Sequence, residues 1–354
     1  MVIMSAPVNP SSTLNVGDVI DLDVTGIAHG GVSVARHEGR VVFVADAIPG
    51  ERVRVEVTEA RKKSFVRATV TTVIDASPDR RDHVWAEAAL ERSPEDRAGG
   101  AEFGHIALER QRALKAEVLA DAMQRFGGVE LASDSEEDLA DALADLVEAA
   151  PGDDELNGLG YRTRVRLHVD AETGAVGPYA ARSRRVIPVD SLPLASDEIA
   201  SIAPLADQMP DAATVDLIAP AADDPRMLIT LVGDKKPAGG ADVVRELVED
   251  RGFLVRAGGF WQVHREAPAT LFTAVRGAIQ ELIDDDRFDP SAGNLDLYGG
   301  VGLLAAAMAE AGGPGTKVTT VESEASATDD ASENLSALLG ALAVTARVDP
   351  PLAG

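Results

Sequence analysis

The chain contains no cysteine. That excludes disulfides, thiolate-held zinc, iron–sulfur clusters and a thiol nucleophile anywhere in these 354 residues. Aromatic residues are scarce at 4%, so Ala, Val and Leu must fill most of the cores. No apolar run approaches the roughly 20 residues that a membrane-spanning helix needs. Met1 to Leu14 lacks the basic segment followed by an apolar stretch that marks a secretory signal. These absences predict a cytoplasmic protein with no membrane partner. The six histidines show no metal-ligand spacing, so no metal site is expected. What is present is a hydrophobic fraction of 45%, ordinary for a globular chain, and a length that implies two or three domains.

Positive charge is also in short supply, for the formal net charge is -26. Phosphate binding runs on Lys and Arg, so this balance argues at first against nucleic acid. Distribution matters more than the total. The acidic surplus gathers between Asp134 and Glu155 and between Asp284 and Asp289. Basic residues cluster at Arg61, Lys62, Lys63 and Arg67, at Arg162, Arg164 and Arg166, and at Arg182, Arg184 and Arg185. Each cluster taken singly reads equally well as a solvated strand face. Three of them on one acidic chain favour an RNA track.

Residues 13 to 75 read as a small all-β unit. Val16 to Val24 alternates apolar and polar residues, Val41 to Ala45 and Arg52 to Val57 follow, and Phe65 to Val73 is a fourth strand. Gly26, Gly30-Gly31 and Ile48-Pro-Gly-Glu mark turns. Short strands at this spacing suggest a five-stranded OB-like barrel, a fold that often holds single-stranded nucleic acid on a basic face. A helix is expected over 106–126, with Ile106, Leu108, Leu114, Val118, Leu119 and Met123 on one apolar stripe and Gly127-Gly128 at its end. The acidic stretch from Leu131 to Gly160 holds either a short helix over 135–149 or a surface insertion. Strands return at Thr163 to Val169, Val215 to Ile218 and Met227 to Val232. From Ala267 the pattern becomes helix 267–284, strand 294–298, helix 303–311, strand 317–321, helix 326–342 and strand 343–348. This is the start of a doubly wound parallel sheet, with three strands where such sheets usually have five or more.

Leu295-Asp-Leu-Tyr-Gly-Gly-Val-Gly-Leu-Leu is the stretch richest in chemistry. Glycines at a strand-to-helix turn let a ligand approach the backbone closely. Glu322, at the end of the next strand, stands where an acidic side chain hydrogen-bonds ribose hydroxyls. A dinucleotide fold would want a third glycine that is missing, and a P-loop would want Gly-Lys-Ser/Thr. An S-adenosylmethionine site fits the spacing better than either, with a tight turn that binds nothing as the competing reading.

Beyond that motif, Gly26-Ile-Ala-His-Gly-Gly, Val44-Ala-Asp-Ala-Ile-Pro-Gly-Glu, Tyr161-Arg-Thr-Arg-Val-Arg-Leu-His-Val, Ser183-Arg-Arg-Val-Ile-Pro-Val-Asp and Phe260-Trp-Gln-Val-His occur in one order along nearly the whole chain. Together they resemble the bacterial RNA uracil-C5 (5-methyluridine) methyltransferases that carry an N-terminal TRAM domain. The resemblance implies an α+β multidomain protein: an OB-like TRAM barrel over 12–75 that binds RNA, a central α+β domain over 76–265, and a partial Rossmann-like S-adenosylmethionine-dependent methyltransferase domain over 266–354. It assigns cofactor binding to Gln262, Tyr298, Glu322 and Asp349, and RNA binding to Arg61, Lys62, Lys63, Arg67, Arg162 and Arg164. The partner implied is transfer or ribosomal RNA, and the protein a monomer.

Three departures from the family pattern carry expectations of their own. Ala98-Gly-Gly-Ala101 stands where many members have Cys-Gly-Gly-Cys, so a branch without the iron–sulfur cluster is expected. Asp349-Pro-Pro351 follows the third strand and lacks the arginine of the family's Asp-Pro-Pro-Arg motif, so it is not that motif. The family's cysteine nucleophile and later general-base glutamate have no counterpart. No catalytic residue is therefore assigned, and the chain is expected to be a fragment of an active enzyme, unable by itself to transfer a methyl group. The alternatives are a non-catalytic RNA-binding protein with a degenerate methyltransferase domain, and a Rossmann-like methyltransferase with a non-RNA substrate.

Overall fold

The computed structural model describes residues 14–60, 65–129 and 142–348. Arg61, Lys62, Lys63 and Asp349 lie outside the described residues, as does the 135–141 part of the helix expected over 135–149. The chain divides into two compact units, Met1–Ala149 with Ala180–Ile187, and Ala150–Tyr179 with Pro188–Gly354.

In the first unit β1 (Val19–Ala28), β2 (Val32–His37), β3 (Arg40–Ala45), β4 (Arg52–Glu59) and β5 (Phe65–Asp75) close into a barrel of order β1-β2-β3-β5-β4. Four of these strands are legible as alternating runs. The fifth, β2, is hidden because Gly30-Gly31 and Gly39 crowd it between turns. The interior follows the period of two, with Val42, Val44, Val53, Val55 and Val57 fully buried. Glu51 at the β4 entrance is 1% exposed. It accepts from Ile48 N–H at 2.8 Å and Ser77 N–H at 3.2 Å, and pairs through both oxygens with Arg80. A buried carboxylate is tolerable only when its lone pairs are satisfied in this way.

The first helix, α1 (Leu108–Ala122), runs on into a π turn, Met123–Gly127, and stops at Gly128 with φ 63°. Its expected apolar stripe is not one buried face. Leu114 and Ala116 are its buried residues, while Leu119 is 41% exposed. Ile106 is buried, but lies before the helix begins.

The second unit opens with β6 (Arg164–Val169), β7 (Val176–Gly177), α2 (Asp197–Ile202, capped by the Ser196 hydroxyl), β8 (Ala212–Ile218) and β9 (Arg226–Leu231). The four strands form an antiparallel sheet of order β7-β6-β8-β9. A hairpin to which the sequence assigns no element follows, β10 (Val243–Val248) and β11 (Arg251–Arg256). Its inward set on β10 is Val244, Glu246 and Val248, so a buried carboxylate breaks the apolar alternation. Then come α3 (Ala267–Asp284), β12 (Asn294–Leu297), α4 (Leu303–Gly312), β13 (Val318–Glu322), α5 (Ala325–Asn334) and β14 (Ala341–Thr345). β12, β13 and β14 pair in parallel in that order. The last helix is shorter than the expected 326–342, and the strand expected over 343–348 starts earlier, at Ala341. A Cβ on Gly340 would stand 2.1 Å from the Thr316 carbonyl oxygen, so the chain turns here on a residue without a side chain.

The hairpin precedes residue 266, where the sequence places the start of the methyltransferase part. Its Val244, Phe253 and Val255 nevertheless share one core with Phe272 of α3 and Ala305 and Ala306 of α4.

Candidate functional site

The turn between β12 and α4 is built by close packing. Asp296 is 7% exposed and its Oδ2 accepts from Ala305 N–H at 3.1 Å and from the Thr320 hydroxyl at 3.3 Å. It thereby caps the start of α4 from the neighbouring strand. Burial pushes its carboxyl above the usual range, against the pull of those two donors. A Cβ on Gly299 would fall 1.8 Å from the Thr320 hydroxyl and 2.8 Å from Asp296, so only glycine fits. Gly300 and Gly302 hold φ of 55° and 88°. Tyr298 also sits in the left-handed region at φ 61°, which non-glycine residues adopt at about 1–2 kcal/mol. The residue is 72% exposed and its hydroxyl donates to the Val348 carbonyl at 3.0 Å. Strain of this kind gathers at ligand sites.

A cleft of about 250 Å³ opens beside this turn. It brings together Gln262, Tyr298 and Glu322, three of the four residues expected to hold a cofactor; the fourth, Asp349, lies outside the described residues. Glu322 Oε1 accepts from Ser323 N–H at 2.6 Å, the Ser323 hydroxyl at 3.1 Å and Glu324 N–H at 2.9 Å, while among the described residues Oε2 accepts only from Gly300 N–H at 3.1 Å. Burial works to raise this carboxyl, but those donors outweigh it and hold it below the usual range. The group is therefore an anion with spare acceptor capacity on Oε2, suited to a hydroxyl pair. Trp261, Leu271 and Leu304 supply apolar wall, and Phe260, 75% exposed, lies at the same cleft. Arg256 and Asp330 line it as well. The sequence signals neither: the hairpin that carries Arg256 has no clean periodic pattern, and Asp330 is one acidic residue among several on α5.

The expected RNA residues fare differently. Arg164 is not a surface cation: its guanidinium donates to the carbonyls of Ala257 and Gly259 at 3.2 and 2.8 Å and pairs with Glu246 at 3.4 Å. Burial lowers the pKa of Arg164 and raises that of Glu246, as expected of an internal pair. Arg166 is held by Asp216 at 2.6 Å. Arg162 occupies a short bridge to Ala195 and His264. On the first unit, Arg67 lies 5.4 and 5.7 Å from the ring centres of Phe43 and Phe65, with Glu59 at 3.6 Å. The loop with Arg182 and Arg185 belongs to this unit too, joined by a bridge between Ala98 and Ala180. A cavity of about 640 Å³ has Arg67, Arg182 and Arg185 in its lining. Ala98 and Ala101 are buried here, presenting methyl groups and no metal donor.

The model of the TRAM domain matches residues 14–71. A protein of Streptomyces coelicolor named as an uncharacterised RNA methyltransferase is 35% identical over 94% of this chain and 74% of its own length. A 23S rRNA (uracil(1939)-C(5))-methyltransferase of Shewanella halifaxensis is 28% identical over 55% of this chain and 39% of its own. Among solved structures, the tRNA (uracil-54, C5)-methyltransferase of Pyrococcus abyssi, in complex with S-adenosyl-L-homocysteine, superposes with a TM-score of 0.58. That likeness covers 94% of this chain and 81% of that one at 15% identity, and it shows the fold. With the barrel, the glycine turn and a relative at this identity along nearly its whole length, the chain belongs to the TRAM-domain RNA methyltransferases.

Proposed function

We propose that the chain grips RNA with its barrel unit and binds S-adenosylmethionine in the Tyr298 cleft, in the service of methylating C5 of a uracil in transfer or ribosomal RNA. The observation that carries this reading is the meeting of Gln262, Tyr298 and Glu322, distant in sequence, around one cleft. The residues present suit such a group: an anionic Glu322 for ribose hydroxyls, a glycine backbone open to close approach, and aromatic and apolar walls for a purine. The cofactor supplies an electrophilic methyl on a sulfonium. The chain's own part is to hold it: Glu322 at the sugar, Tyr298 and Gln262 at the cleft mouth, Asp296 fixing the turn. On this reading residues 12–75 are the RNA grip, 76–265 a central domain and 266–354 the cofactor domain, with the hairpin lending a wall to the last.

Addition of a thiolate to uracil C6 is the activation this reading needs, and these 354 residues contain no cysteine. Methyl transfer is therefore not expected of this polypeptide by itself, whereas binding is. Calorimetric titration with S-adenosylhomocysteine tests it. We expect saturable one-site binding by the folded chain, and Glu322→Ala to weaken it by about 10- to 100-fold, the range for losing hydrogen bonds to a charged group. Equal affinity in the variant, or no binding by a chain shown to be folded, overturns the reading.

A further inference from the structure

β11 has β10 on one side and, among the described residues, no strand on the other. In an antiparallel pair, the residues whose N–H and C=O do not face the partner recur every second position, and on an edge strand they are left open. On β11 these positions are closed by side chains. Leu254 N–H donates to Asn334 Oδ1 at 2.7 Å, and the Asn334 amide donates back to the Leu254 carbonyl at 3.0 Å. Two residues on, Arg256 N–H donates to Asp330 Oδ2 at 2.9 Å, and its guanidinium pairs with Asp330 Oδ1 at 3.1 Å. Asp330 and Asn334 are one helical turn apart on α5. Four helical residues rise about 6 Å and two strand residues about 6.8 Å, so the spacings match. The helix thus takes the place of a third strand along this edge.

Asn334 does one thing more. Its amide also donates to the Val301 carbonyl at 3.0 Å, inside the glycine turn. One side chain therefore ties the hairpin, which carries Val255 and Arg256 of one cleft wall, to the turn of Tyr298 and Gly300, which forms the other. Only a carboxamide offers an acceptor and two donors at this size: aspartate lacks the donors and leucine lacks both.

We propose that Asn334 is a positioning residue that sets the width of the cofactor cleft by coupling its two walls, acting with Asp330 as a latch. This rests on the cofactor reading of the cleft, but the coupling itself does not. The test uses the full chain and two measurements, amide hydrogen exchange and titration with S-adenosylhomocysteine, on wild type, Asn334→Leu and Asn334→Asp. Phe272→Leu, which softens the same core from α3 and removes none of the latch hydrogen bonds, is the control.

For Asn334→Leu the expected result is exchange faster by tenfold or more in both 252–257 and 298–304, with affinity about tenfold weaker. Asn334→Asp keeps the acceptor for Leu254 N–H, so it loosens the 298–304 turn more than the hairpin, and it serves if the leucine variant does not fold. Phe272→Leu should leave affinity within twofold. Turn exchange unchanged in the Asn334 variants overturns the proposal. So does affinity unchanged in the Asn334 variants when wild type binds, or an equal loss in Phe272→Leu. A wild type that fails to bind while both segments loosen together in Asn334→Leu sinks the cofactor reading and leaves the coupling standing.

Discussion

At the scale of single residues, two carboxylates at the glycine turn, Asp296 and Glu322, have opposite electrostatics. Asp296 is pushed up from 3.8 by burial, so the folded chain holds this proton to a higher pH than the unfolded chain does. Its charged form costs stability, and that cost grows as pH rises from 3.8 through the folded value and is complete above it. Glu322 is held below 4.5, so its contribution is present above that pH and is lost as pH falls through its folded value. Asp296→Asn keeps an acceptor for Ala305 and Thr320 without the buried charge. We expect a higher urea midpoint than wild type at pH 7.5, with the difference shrinking steadily toward pH 4. A variant less stable at pH 7.5 would mean that the start of α4 needs the charge more than burial penalises it. The same scale separates the arginines. Arg162, Arg164 and Arg166 read as part of an RNA track because they form one of three basic clusters, but clustering along the chain does not say which carboxylates fold against them. Glu246 and Asp216, which occupy Arg164 and Arg166, come from strands that sequence spacing does not place beside β6.

At the scale of elements, the first unit presents Arg67 from β5 and Arg182 from the 180–187 loop on one cavity. Desolvation first, then the charge of Arg67, lowers the Arg182 guanidinium, as expected when two cations lie close together. With uridine-rich single-stranded RNA, Arg67→Ala and Arg182→Ala should each flatten the slope of log affinity against log salt by about 0.7. Arg166→Ala, whose charge Asp216 already holds, should leave the slope alone. Equal effects of all three would mean that RNA does not select the barrel unit. Elements with a strong local signature were legible in the sequence: four barrel strands, α3 residue for residue, and the β12 turn. Those held by long-range partners were not. β10 has outward Val243 and Leu247 beside a buried Glu246, which pairs with Arg164 across the unit, so its pattern makes sense only once Arg164 is in place. The early end of α5 is likewise set where Asn334 turns to the backbone of β11, 80 residues away in sequence.

At the scale of the whole molecule, the three-stranded sheet is covered on one face. Asp296, Val318 and Thr320 point into the core with α4 and α5, while Leu295, Leu297 and Leu342, in register with Thr319 and Val321, make an apolar patch on the other. Leu295, Leu297 and Leu342 are 58%, 47% and 58% exposed, and no helix among the described residues lies over them. Parallel sheets are ordinarily covered on both faces, and open apolar patches promote association. Sedimentation at tens of micromolar should therefore show self-association of this polypeptide, despite a charge of -26, and Leu297→Lys with Leu342→Lys should reduce it. A wild type that sediments as a monomer at all concentrations would refute this and return the sequence-based expectation of a monomer.

The sequence by itself determined the barrel, the order of strand, glycine turn and helix around Tyr298, the acidic residue at the end of the next strand, and the absence of a thiol. Period-two alternation, positive-φ glycines and composition are properties of short segments, and they survive whatever the rest of the chain does. Only the tertiary structure decided which arginines face solvent, that a hairpin forms one wall of the cleft, and that Asn334 joins that wall to the turn. Those outcomes depend on desolvation and on hydrogen bonds between groups far apart along the chain. No local pattern encodes them, because the free energy of a buried charge or an edge-strand amide is set by what folding brings next to it.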